Sequence, residues 1–253
     1  MKNNIISKCV SSLSTSPTLN IDEKIKSLSK SQKIYNFTIG EPEFDTPNFI
    51  KNACIKAIKD GKTKYVPVAG ILQLRENIAE FYKNKNNIKN INKDSIIVSP
   101  GAKFSCYNAI LAVCNPGDEV IIPTPFWSSY PEMVKLAYAK PIFINCNENN
   151  FKISPKMLES VITPKTKLFI LNSPNNPSGQ VYNKKEIEDL VEVVNKHKIY
   201  MLSDEIYEHI NFGDGHTSIA SIDGMFDRTV TVNGVSKAFA MTGWRIGYIG
   251  APD

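Results

Sequence analysis

From Ser95 to Gly250 the chain alternates short apolar runs with stretches of helical periodicity, and this alternation limits the fold more than any other feature. Residues 95–99, 119–123, 140–145, 168–172, 200–203, 229–233 and 246–250 read as strands. They are mostly apolar on both faces, as a sheet covered by helices requires. Residues 103–113, 130–137 and 184–197 between them carry helical patterns. Upstream, the stretch 47–60 opens on a proline and stops at Gly61, and 70–83 turns Leu72, Leu74, Ile78 and Phe81 inward. A polar helix over 20–33 and a short extended run over 36–39 precede them. The pattern predicts an α/β fold, a three-layer α-β-α arrangement around a seven-stranded, mostly parallel sheet.

At 253 residues the chain can bury one large domain, or one domain plus extra pieces. Its net charge of +5 comes from scattered lysines, without a dense basic block or an interleaved aromatic stripe, which argues against nucleic acid as a partner. The five cysteines are odd in number and form no C-x-x-C pair, so a reduced, cytoplasmic protein is expected and no metal is called for. The Ser-rich stretch Met1 to Ser16 lacks a continuous apolar core, while its two lysines and absence of acids suit an organelle transit segment. No apolar run approaches the ~18 residues of a membrane span.

Ligands of open α/β sheets sit outside the carboxyl ends of the strands, so those ends are where chemistry is sought. Pro100-Gly101-Ala102-Lys103 follows the first strand and opens a helix, whose free N–H groups favour an anion such as phosphate. Phe126 and Trp127 follow the second, held by two prolines, either to stack on a flat ligand or to pack the core. Asn172-Ser173-Pro174-Asn175-Asn176-Pro177-Ser178-Gly179 follows the fourth, a turn in its own right or one that fixes a side-chain amide as a donor, and it brings Asn176 to this edge. Asp204 follows the fifth, near-buried, as a helix N-cap or as partner to a cation; Tyr207 lies three residues on. Lys237 follows the sixth and Arg245 stands eight residues beyond it. A lysine at such an edge can form a Schiff base with a carbonyl cofactor, and the arginine can hold an anion beside it. Together these positions match the needs of pyridoxal phosphate: a Schiff-base lysine, an acid for the ring nitrogen and a phosphate cup.

Through Gly40-Glu41-Pro42, Lys64-Tyr65, the Asn175–Gly179 turn, Ser203-Asp204-Glu205-Ile206-Tyr207, and Ser236-Lys237 followed by Met241-Thr242-Gly243-Trp244-Arg245, the chain resembles the class I aminotransferases of pyridoxal-phosphate fold type I. It looks closest to the bacterial-type aspartate aminotransferase subgroup. The resemblance implies that Lys237 binds pyridoxal 5'-phosphate and moves the substrate proton, and that Asp204 keeps the ring nitrogen protonated. It implies that Asn176 and Tyr207 bond the ring's phenolic oxygen, that Trp127 stacks on the ring, and that Gly101, Ala102, Lys103 and Arg245 surround the phosphate and substrate. Tyr65 would reach the phosphate of a partner subunit, which implies a homodimer with shared sites. Gly40 would contact the substrate carboxylate, with Trp127 and Asn176 beside it. Lys103 and the Ser16-Pro17-Thr18 segment would favour a dicarboxylic amino acid. The implied reaction takes aspartate and 2-oxoglutarate to oxaloacetate and glutamate. Relatives acting on prephenate tend to carry a basic residue just before the Ser-x-Thr stretch, where Ser14 and Thr15 stand here.

In this family the chain continues past the position of Asp253 into a small domain, which supplies the arginine that clamps the substrate α-carboxylate. Arg75 and Arg228 stand in other motifs. The expectation is therefore an N-terminal fragment, with residues 1–40 as an arm and part of the small domain, and 41–253 as the cofactor-binding domain. The alternatives are an aminotransferase for neutral or aromatic amino acids, a β-lyase on the same fold, or a non-catalytic cofactor-binding remnant.

Overall fold

In a computed structural model that describes residues 5–14, 21, 24–25, 28, 33–35, 40–213 and 215–252, seven strands form a single sheet. They are β1 (Ile96–Ser99), β2 (Glu119–Thr124), β3 (Lys140–Asn145), β4 (Thr166–Asn172), β5 (Tyr200–Asp204), β6 (Thr229–Gly234) and β7 (Gly247–Gly250), in the spatial order β1-β7-β6-β5-β4-β2-β3. The run β6-β5-β4-β2-β3 is parallel, while β7 is antiparallel to both β6 and β1. One reversed strand thus restores β1 to the common direction. The carboxyl ends of β1, β2, β4, β5 and β6 share one edge with the amino end of β7, and the expected site residues lie along it.

The alternation of strand side chains divides the core in two. Val120, Ile122, Leu168 and Ile170 face α4 (Ala102–Val113) and α5 (Ser129–Leu136), where they bury Ile110, Met133 and Val134. Ile121, Phe169, Leu171 and Met201 face the other way, onto Leu158 of α6 (Pro155–Val161) and Ile187, Leu190 and Val194 of α7 (Lys184–His197). Each such side chain contributes about 1.5–3 kcal/mol on burial. Helix α7 starts where its sequence directs: Asn183 Oδ1 accepts from the Glu186 amide at 2.9 Å, and the Glu186 carboxylate accepts from the Asn183 amide at 2.8 Å. A third cluster joins Ile78, Ala79 and Tyr82 of α3 (Leu72–Lys85) to Ile88, Ile96 and Tyr248.

Two features differ from the sequence reading, which leaves a third open. Helix α6 has no counterpart in it, because two turns are too short to show a period; Ser154 caps it through a 3.3 Å bond from the Met157 amide, with Pro155 in its first turn. Leu72 does not face inward but is about half exposed, since α3 begins there and only its later turns reach β1. Helix α2 (Asn48–Lys59) buries none of its residues. Two expected elements lie partly or wholly outside the described residues: the run 36–39, and the helix over 20–33, of which residues 21, 24, 25 and 28 are helical. A single turn, α1 (Lys8–Ser11), sits beside α5, where Cys9 Sγ donates to the Lys135 carbonyl.

Candidate active site

The turn after β1 holds Gly101 at φ 91°, a conformation that side chains disfavour. A Cβ there would lie 2.4 Å from Arg245 Nη2, so the guanidinium rests on the bare turn. Arg245 is itself left-handed, at φ 57°, and its Nη1 donates to the Thr242 carbonyl at 2.7 Å. Behind the turn, a Cβ at Gly247 would meet Ala102 N at 2.3 Å, so β7 and the turn touch backbone to backbone. The amides that open α4 have no intrahelical partner. With the guanidinium beside them they form a cup for an anion.

Asp204 ends β5 and is 2 % exposed. Its Oδ2 accepts from the Tyr130 hydroxyl at 2.6 Å and weakly from Cys106 Sγ at 3.7 Å, and its Oδ1 accepts from the Ile206 amide at 3.2 Å. Among the described residues no cation pairs with it. Burial pushes its pKa up, and the three donors oppose that push. The N-cap reading does not hold: turns, not a helix, follow at 206–209. Asn172 Nδ2 donates to the Asp204 carbonyl at 2.9 Å, Asn172 Oδ1 accepts from the Asn176 amide at 2.7 Å, and Asn176 Nδ2 donates to Tyr207 Oη at 3.3 Å. This chain of bonds ties the ends of β4 and β5 to one ring oxygen.

Lys237 follows β6 and is half-buried. Its Nζ lies 5.8 Å from the centroid of the Tyr207 ring and donates to the Gly40 carbonyl. Desolvation lowers its pKa; Glu41 opposes this and Arg245 adds to it. Gly40 thus meets the lysine through its backbone carbonyl.

Trp127 lies between two partners: Lys103 Nζ stands 5.2 Å from its ring, and Tyr130 meets it edge-on at 5.3 Å and 88°. Phe126 instead stacks at 5.1 Å on Phe143, which is about half exposed. Tyr65 is fully exposed and makes no bond or ring contact to this cluster among the described residues. Ser16 and Thr18 lie outside the described residues. The sequence reading passed over Tyr130 and Cys106, and gave Asn172 no role of its own within the turn it opens. Tyr130 and Cys106 look like ordinary core residues, and the signal was positional: each sits early in a helix that starts at the shared edge.

A buried acid without a cation, an anion cup and a desolvated amine sit along one edge. That set fits a flat ring with a basic nitrogen, a phosphate and an aldehyde. Pyridoxal phosphate has these groups.

The profile of the aminotransferase class I and II family matches residues 32–253. A bifunctional aspartate aminotransferase and glutamate/aspartate-prephenate aminotransferase of Petunia hybrida is 48% identical over 251 residues, which cover 98% of this chain and 52% of that protein. A probable aspartate/prephenate aminotransferase of Rickettsia bellii is 50% identical over 250 residues, covering 96% of this chain and 62% of that one. The solved aspartate aminotransferase of Thermus thermophilus with maleate superposes with a TM-score of 0.93 at 41% identity, over 98% of this chain and 64% of that structure. The chain therefore spans about half to two thirds of the length of these relatives.

Proposed function

We propose, from the premise that this chain belongs to the class I and II aminotransferase family, that it binds pyridoxal 5'-phosphate at the carboxyl edge of its sheet and serves the transfer of an amino group from aspartate to 2-oxoglutarate. The observation that carries the reading is Asp204, buried among donors and paired with no cation among the described residues. When bound, the cofactor supplies an aldehyde for the amino group and a ring that takes up electrons from the substrate α-carbon. Asp204 would hold the proton of the ring nitrogen. Asn176 and Tyr207 would bond the ring oxygen, and Trp127 would cover the ring. The α4 amides and Arg245 would hold the phosphate. The lowered pKa of Lys237 leaves more of its amine neutral, ready to take a proton from the substrate α-carbon. Lys103, which stands over Trp127 and pairs with no carboxylate among the described residues, favours a substrate with a second carboxylate.

Relatives carry prephenate in their names. No basic side chain stands at Ser14 or Thr15, and the Ser14 amide donates to Glu132, so the proposal stops at the aspartate and 2-oxoglutarate pair. Residues 41–253 would form the cofactor-binding unit, with 1–40 as an arm. Exposed Tyr65, Val66 and Val68 support a homodimer in which a second copy covers them. Five free cysteines support a reducing compartment, the cytoplasm, and no described helix is long and apolar enough to cross a membrane.

The test is to incubate the protein with pyridoxal phosphate, reduce it with borohydride, and map the added mass by peptide. The mass is expected on Lys237. A label spread over surface lysines, or absent from folded protein, overturns the reading.

A further inference from the structure

We propose that Tyr130 is a positioning residue for two groups of this site at once: its hydroxyl fixes Asp204 and its ring fixes Trp127. The inference rests on the cofactor reading above for its consequence, though not for its geometry. The hydroxyl of Tyr130 lies 2.6 Å from Asp204 Oδ2, the length of a charge-assisted bond, whereas Cys106 Sγ, the other side-chain donor to that oxygen, stands at 3.7 Å and is a weak one. Tyr130 is 2 % exposed, and Asp204 is the hydroxyl's bonding partner, so the bond competes with neither water nor another side chain.

The direction of donation is settled by the surroundings. Burial, and then the neighbouring Asp204, raise the phenol pKa well above its ordinary value. The proton stays on Tyr130 and the carboxylate accepts. An isolated buried carboxylate would take up a proton and become neutral. A neutral acid could not keep a ring nitrogen protonated. Tyr130 thus opposes the protonation that burial favours, and aims Asp204.

The same residue braces the aromatic. Tyr130 follows Trp127 by three positions, and its amide donates to the Trp127 carbonyl at 3.0 Å, so the first turn of α5 fixes their separation. The rings meet at 88°, edge to face. A single side chain therefore sets the spacing between the acid and the aromatic.

Tyr130→Phe keeps the ring and removes the hydroxyl; Tyr130→Leu removes both. In cofactor-free protein, the carboxyl infrared band of Asp204, identified by its loss in Asp204→Asn, reports protonation. In Tyr130→Phe we expect the pH of its midpoint to rise by about one unit, a tenfold gain in proton affinity. Emission of Trp127, read in a Trp244→Phe background, stays unchanged in Tyr130→Phe and shifts in Tyr130→Leu. Pyridoxal phosphate binds Tyr130→Phe about tenfold more weakly. Its deaza analogue, with carbon in place of the ring nitrogen, binds both proteins alike. An unmoved midpoint, or equal losses for cofactor and analogue, overturns the proposal. If Tyr130→Phe does not fold, ring-fluorinated tyrosine at position 130, a stronger donor, should lower the midpoint, and an unmoved one overturns the proposal. Failure of the unmodified protein to bind pyridoxal phosphate would overturn the cofactor reading instead, because the infrared band and the emission are read without it.

Discussion

Gly247→Ala tests whether β7 and the anion cup form one rigid unit. Gly247 has no positive φ, so alanine brings no conformational strain and only the contact is probed. The new Cβ would lie 2.3 Å from both Ala102 N and Gly101 C, and 2.8 Å from Ala102 Cα. All three are backbone atoms, so no side chain can rotate away. To reach even 3.0 Å, strand and turn must part by at least roughly 0.7 Å. Overpacking of this kind costs about 1–3 kcal/mol, and the absence of a yielding side chain places it near 3. For a chain of this size that lowers Tm by about 6–12 °C. The displaced turn also carries the amides at the start of α4, and a shift near 1 Å costs on the order of a hundredfold in rate. Gly243→Ala is the control: it lies in the same motif, and its Cβ would meet nothing within 4 Å. Thermal unfolding gives the first readout, and the ratio of affinities for pyridoxal phosphate and pyridoxal gives the second. The variant should lose affinity for the phosphorylated form and keep it for the other. A Tm within about 2 °C of the parent, together with an unchanged ratio, would refute the argument.

Asp204→Asn should abolish cofactor function while stabilising the cofactor-free protein at neutral pH. The folded acid binds its proton more tightly than the unfolded one, so its stability contribution is present at low pH and lost as pH rises through the raised pKa. Urea midpoints against pH should fall across that window in the parent and stay flatter in the variant; parallel curves would contradict this. Behind the sheet, buried Glu205 accepts from Ser203 Oγ at 2.7 Å and Ser218 Oγ at 2.8 Å and faces His216 Nε2 at 2.9 Å. Glu205→Ala strands these partners and should cost about 3–5 kcal/mol in urea unfolding; a loss below about 1 kcal/mol would show that water replaces them. Burial, the largest influence, pulls the pKa of His216 down, but Glu205 and Glu208 together outweigh it, so the net shift is upward from 6.5. Its contribution is present below pH 6.5 and lost as pH rises through the folded value, and His216→Asn should remove that slope. In protein with transaminase activity, Lys103→Met should cut discrimination for aspartate over alanine about tenfold to a hundredfold; unchanged discrimination would sink the acidic-substrate reading.

Much of this architecture is legible in the sequence because each strand's period and each turn's chemistry are local. The strand at 140–145 and the helix at 184–197 agree with the structure to the residue. Gly101 announces its turn, and Lys237 and Arg245 announce theirs by standing just outside an apolar run. What local signals leave open is which way a side chain faces. Asp204 and Glu205 make the point. They are adjacent acids at the end of the same apolar strand, and nothing within the pentapeptide Ser203–Tyr207 says which of them serves the site. Their side chains part to opposite sides of the sheet, and partners far along the chain decide their roles. Asp204 meets Tyr130 and Cys106, which stand 74 and 98 positions away. Glu205 meets Asn86, at 119, and the returning loop that carries His216 and Ser218. On the first side the donors pair the carboxylate with no cation among the described residues, so it can receive a ring nitrogen. On the second side an imidazole already fills that place. The same residue chemistry becomes a site on one face and a buried lock on the other, and the difference lies in whether the fold brings a positive partner of its own.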